Sequence, residues 1–145
     1  VSHCKIKYEI DTINLSKTGI INLKITNLGL QSLKISNEFS DIRIQPVNIE
    51  KYDLALNRYI KIPKTISDVN CIHCFGKFVN LKPGKTFNYL INLKELYFVK
   101  KFVTGPNSTY QFNLWFDTID ILKYSRKTKC YMKDFTSEKI RFSNK

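Results

Sequence analysis

A chain of 145 residues carries a formal net charge of +12, with 43% hydrophobic and 13% aromatic residues. That balance excludes a disordered chain, and the length suits one domain, residues 1–145, with a core that needs neither metals nor disulfides. No apolar run approaches the roughly 20 residues of a membrane helix, and there is neither a fixed-period repeat nor a low-complexity linker.

The chain opens with Val1-Ser2-His3-Cys4. A start at Val1 fits removal of a preceding segment such as a signal peptide. His3, where a lipoprotein signal carries a small residue, speaks against Cys4 as a lipid anchor. From there the dominant period is two. Cys4, Ile6, Tyr8 and Ile10 share one face against Lys5, Lys7 and Glu9. Ile21, Leu23 and Ile25 alternate with Asn22, Lys24 and Thr26. Shorter strands are expected at 32–36, 41–45, 58–62, 76–80 and 138–143. Phe87, Tyr89, Ile91 and Leu93 alternate with Thr86, Asn88, Leu90 and Asn92, and Tyr110, Phe112, Leu114 and Phe116 with Gln111, Asn113, Trp115 and Asp117. Successive strand side chains point to opposite faces, so each segment reads as half buried and half wet.

Turn signals separate these runs: Asn27-Leu28-Gly29, Lys82-Pro83-Gly84, and Thr104 to Ser108. Pro83 fixes φ, and Gly84 supplies the positive φ of a type II turn. Short helical turns are expected only at 49–57 and 94–102. The fold class predicted is all-β, an antiparallel β-sandwich with one or two short helical turns.

Three stretches, "GIINLKITNLG", "NLKPGKTFNYLINL" and "STYQFNLWFD", resemble the secreted immunoglobulin-like β-sandwich domains. They look like an early core strand, a Pro-Gly turn into a later strand, and a core strand opening on a tyrosine. The resemblance covers about Gly19 to Asp117 and implies a sandwich whose loops and edges bind partners. The inter-sheet cysteine pair of antibody-type domains is missing from these strands, and Trp115 falls on the wet face. Proteinase inhibitors, adhesin domains and accessory lipoprotein domains share this architecture; a proteinase-inhibitor-type domain is an alternative reading by analogy, without an inhibitor motif in the sequence.

Cys4, Cys71, Cys74 and Cys130 allow three pairings. An even count fits an oxidising compartment, so a secreted, periplasmic or cell-surface location is expected. Either Cys71 and Cys74 bridge locally or one of them joins another strand, with Cys4 and Cys130 tying the ends. The CIHC segment sits in a β-rich context, away from the helix start that a thioredoxin-type redox motif needs. The metal alternative gathers Cys71, His73 and Cys74 around Zn²⁺, with Cys4 or His3 completing the set.

Catalysis lacks its usual parts. Neither His3 nor His73 is placed as a triad base, and the nucleophile-elbow, zincin, P-loop and dinucleotide motifs are missing. The carboxylates Asp41, Asp53, Asp68, Asp117 and Asp120 read as solvated groups, a carboxylate-lined hydrolase being the remaining enzymatic reading. The chain therefore reads as a non-enzymatic module without a cofactor, its partner another protein.

Charge is uneven. Residues 123–145 hold eight of the 24 basic side chains and two acidic ones. Trp115, Tyr124, Arg126, Lys127 and Lys129 are the binding candidates, with an acidic glycan or anionic surface as the polyanionic partner. Of the 24 basic residues 20 are Lys, which lacks the bidentate fork of Arg, so nucleic acid is not expected. The alternative reading of 123–145 is a final strand or two with Lys facing water and aromatics in the core. Asn14-Leu-Ser16 and Asn107-Ser-Thr109 match the glycosylation sequon.

Overall fold

The computed structural model describes residues 5–69, 71, 74–119, 121–123 and 133–144. The described chain is all-β with antiparallel sheets. In one sheet β1 (Ile6–Asp11) pairs with β2 (Ile20–Asn27), which pairs with β7 (Thr86–Asn92). A second sheet runs in the order β10 (Ile140–Asn144), β8 (Ser108–Phe116), β4 (Ile44–Asp53) and β5 (Arg58–Lys61), with β9 (Phe135–Thr136) also on β8. A ribbon of β3 (Leu33–Ser36) and β6 (Phe78–Leu81) is extended by a bridge from Ile35 to Leu122. The helical pieces are α1 (Leu15–Thr18), α2 (Tyr97–Phe102) and 3-10 turns at Asp41–Arg43 and Leu93–Glu95. Among the described residues no helix is long and apolar enough to cross a membrane.

The period-two faces meet in one core. Ile21, Leu23 and Ile25 from β2 and Tyr89 and Ile91 from β7 join Phe112, Leu114 and Phe116 from β8 and Ile44 and Ile49 from β4. Fully burying each such side chain contributes roughly 1.5–3 kcal/mol. On β2, β7 and β8 their sequence neighbours are the more exposed residues; Leu90, between Tyr89 and Ile91, is 74% exposed.

Aromatic rings run across the core from one sheet to the other. Tyr8 stacks on Phe135 at 4.8 Å, and Phe135 lies 5.8 Å from Phe116. Phe39 then meets both Phe116 and Tyr89 edge-on at 5.6 Å. Offset and edge-to-face pairs add to the burial of the rings themselves.

Polar latches fix the ends. Asn27, fully buried, donates through Nδ2 to the carbonyls of Gln31 (2.8 Å) and Leu81 (2.9 Å) and accepts from Gly29 N–H through Oδ1. Its backbone carbonyl accepts from Gly84, whose φ of +77° closes the Lys82–Lys85 turn as the Pro-Gly pair predicts. Ser36 Oγ, also buried, accepts from Gly76 N–H, while Ser36 O accepts from the Tyr89 hydroxyl at 2.5 Å.

Two expected elements differ. Residues 49–57 do not form a helical turn: β4 stays extended through Asp53, held by β8 on one side and β5 on the other. A bulge between Val47 and Glu50, with Asn48 at φ +54°, shifts the alternation by one residue and hides the strand from a period-two reading. The strand expected at 41–45 begins only at Ile44, after the 3-10 turn. Helical turns at 94–102 are present.

Burial raises two phenols above their ordinary value of 10, Tyr8 to about 12 and Tyr89 further. The Tyr8 hydroxyl donates to Lys133 O at 3.0 Å. A raised folded value means the folded chain holds the proton while the unfolded chain loses it. Their contribution is complete below pH 10 and falls as pH rises through 12. Unfolding free energy measured by urea titration at rising pH should decline across that window, and Tyr8→Phe should flatten part of the decline.

Candidate functional site

Among the described residues β1 is an outer strand of its sheet and β10 an outer strand of the other, each laddered on one side only. Three recesses that share wall residues follow β10 and the segment leading into it. At one end a recess is lined by Tyr8, Ile10, Phe135 and Thr136, where Tyr8 stacks on Phe135. The recess passes through Thr12, Lys139 and Ile140, which line both parts, into a larger one of about 540 Å³. That part lies between the α1 turn and β10, and it continues past Lys94 and Phe142 towards Val103 and Asn144. β1 therefore shares a recess with the 135–140 segment and β10 one with residues 12–19, with no ladder between β1 and β10 among the described residues.

Local chemistry sets each wall. β1 ends where Asp11 Oδ1 accepts from Ile13 N–H, and the chain turns through α1 to Gly19, whose φ of +74° lets its N–H bond Leu15 O at 2.9 Å. That turn carries Lys17 to the rim. On β10, Ile140 and Phe142 are buried in the floor while Arg141 and Ser143 face out, as does Lys139 just before the strand. Lys94 enters from the 3-10 turn, where Asn92 Oδ1 accepts its backbone N–H. A Cβ added to Gly19 would sit 3.7 Å from both Lys94 Cγ and Cε, so the lysine stem lies along the bare glycine backbone. Asn144 Nδ2 closes the far end by donating to Val103 O and Gly105 O, both at 3.2 Å.

The groove is cationic. Lys139 is compensated by Glu50, with Nζ 2.7 Å from Oε1. That bond, with a second from Gln111 Nε2, holds the half-buried Glu50 carboxyl below its ordinary range. The contribution of Glu50 is present above pH 4.5 and is lost as pH falls below it. Lys100 is paired with Glu95 at 3.2 Å. Lys17, Lys94 and Arg141 have no carboxylate at ion-pair distance among the described residues.

Of the binding residues expected from sequence, Trp115 lies on the outward face of β8, half-buried, opposite Gln45 on one side and Thr136 on the other. Tyr124, Arg126, Lys127 and Lys129 lie outside the described residues, as do Cys4, Cys130, His3, His73 and Asp120. Within the basic stretch 123–145, Lys139 and Arg141 line the groove, Phe142 is buried and Phe135 half-buried. The sequon residues Asn14 and Asn107 are both exposed. Sequence reasoning missed Lys17 and Lys94, which sit in separate turns and share no spacing signal. It also missed the β4–β5 hairpin tip, where Leu54 is 88% and Leu56 55% exposed.

Cys71 and Cys74 are paired, with Cα atoms 5.6 Å apart. Bonded sulfurs offer no thiolate to a metal. Among the described residues no three His, Cys, Asp or Glu side chains converge to hold a metal ion. Asp117 is engaged by Arg43 at 2.8 Å, and Asp53 accepts from Leu56 N–H. A four-residue ring constrains the unfolded chain little, so Cys71→Ser with Cys74→Ser should cost at most about 2 kcal/mol in urea unfolding.

Comparison of the chain with family models, with curated proteins and with solved structures finds no match in any of the three.

Proposed function

We propose that this chain is a non-enzymatic, immunoglobulin-like β-sandwich binding module that works outside the cytoplasm and takes an extended segment of a protein partner along the seam between β10 and the α1 turn. One observation carries the reading: a recess of about 540 Å³ follows the outer strand β10, walled on the other side by Thr12, the α1 turn and Lys94. An outer strand presents unpaired N–H and C=O groups, and an added strand gains main-chain hydrogen bonds there while alternate side chains enter pockets. The sandwich reading is supported by the single core shared by β2, β7, β4 and β8. The immunoglobulin-like reading is supported by strand order, with β1-β2-β7 in one sheet and β10-β8-β4-β5 in the other. The paired Cys71 and Cys74 support an oxidising location.

The reading is tested by selecting peptides from a random display library and giving them a photoreactive residue for cross-linking. Cross-links should map to 10–17 and 139–143, with the peptide recovered uncleaved. Cross-links confined to the Leu54–Leu56 tip or the Trp115 face would move the binding surface elsewhere. Cleaved peptide would sink the non-enzymatic part.

A further inference from the structure

Resting on that reading, we infer that the segment the seam accepts is acidic: an extended peptide with carboxylates at alternate positions, held by Lys17, Lys94 and Arg141. These cations come from three separate elements, the α1 turn, the 3-10 turn before α2, and β10, yet line one recess. The neighbouring Lys139 and Lys100 already have Glu50 and Glu95 as partners. The three without such partners among the described residues therefore set the charge that an occupant meets.

Geometry then narrows the chemistry. Beneath the cations the floor is apolar, made by Leu15, Ile140 and Phe142, and it suits the second face of an alternating strand. A strand brings every other side chain to one face about 7 Å apart, so acidic residues at i and i+2 meet the cations while apolar ones at i+1 meet the floor. A single-stranded nucleic acid would need exposed rings on which to stack its bases. The aromatic residue of this recess, Phe142, is 5% exposed and forms floor, not platform. A bilayer would need a convex apolar tip, and this surface is concave. A sulfated glycan shares the charge but has no alternating apolar face for the floor.

The test uses a fluorescently labelled peptide of about ten residues alternating Glu and Val, long enough to span the seam. Comparators are a Thr-Val peptide, a Lys-Val peptide and a heparin-derived oligosaccharide. Two triple variants with identical charge change are compared with the parent protein. One is Lys17→Gln, Lys94→Gln, Arg141→Gln in the groove; the other is Lys34→Gln, Arg58→Gln, Lys82→Gln at exposed positions away from it. The Glu-Val peptide should bind, weaken with salt, and lose about 20-fold affinity in the groove triple against less than about threefold in the control.

Equal losses in both triples would overturn the inference, because general attraction to a protein of charge +12 would then suffice. Glycan binding that depends on the groove triple, with no peptide binding, would also overturn it. Thr-Val binding as tight as Glu-Val, cross-linked to the seam, would refute the acidic preference and leave the binding-module reading intact. Failure of every peptide to cross-link at the seam would remove both.

Discussion

Asn27→Ala should lower the unfolding free energy by about 3 kcal/mol, far more than a polar substitution on the outer face of the same strand. The side chain is fully buried and makes three hydrogen bonds, to Gln31 O, Leu81 O and Gly29 N–H. Alanine would strand two carbonyls and one amide where water has no ready access, and each costs about 1–3 kcal/mol with incomplete additivity. The latch also ties the end of β2 to β6, so its loss loosens the register of two sheets together. Asn22→Ala, on the opposite face of β2 and bonded to Asn88, is the control and should cost less than about 1 kcal/mol. Urea titration of the two variants checks the contrast; a loss below about 1 kcal/mol for Asn27→Ala would mean the latch is replaced by water.

Phe116→Ala should cost about 4 kcal/mol, within the range for deleting a large buried aromatic side chain. Phe116 is fully buried on β8 and touches Phe39 and Phe135, the rings that connect it to Tyr89 and Tyr8 on the other sheet. Alanine would remove transfer energy and leave a cavity between sheets whose outer strands lack a ladder to hold them together. Phe116→Leu conserves most of the volume and should cost under about 1.5 kcal/mol. Leu90→Ala, on a side chain 74% exposed, should stay within about 0.5 kcal/mol. Near-equal effects at Phe116 and Leu90 in thermal unfolding would contradict the placement of the core.

The sequence was most legible where the backbone is regular. In β1, β2, β7 and β8 the period-two pattern names the inward face residue by residue, because one face is buried and the other wet. The Pro83-Gly84 turn was legible for a similar reason, since a positive φ restricts residue choice. Legibility failed at Asn48, where one extra residue reverses the alternation and Glu50 to Tyr52 then read as helical. The groove was less legible still. Lys139 and Arg141 stand out only as members of a basic tail, whereas Lys17 and Lys94 are ordinary lysines in linear sequence. What makes them a group is three-dimensional: the glycine turn after α1, the Asn92 cap beneath Lys94, and the outward phase of β10.

The most direct test of the account is amide hydrogen exchange with and without a saturating alternating Glu-Val peptide. Exchange should slow in Leu15–Thr18 and Ile140–Asn144, the elements that flank the recess, with little change at β5 or the Leu54–Leu56 tip. Unchanged exchange in both segments, or protection centred on the hairpin tip, would contradict the proposed docking site.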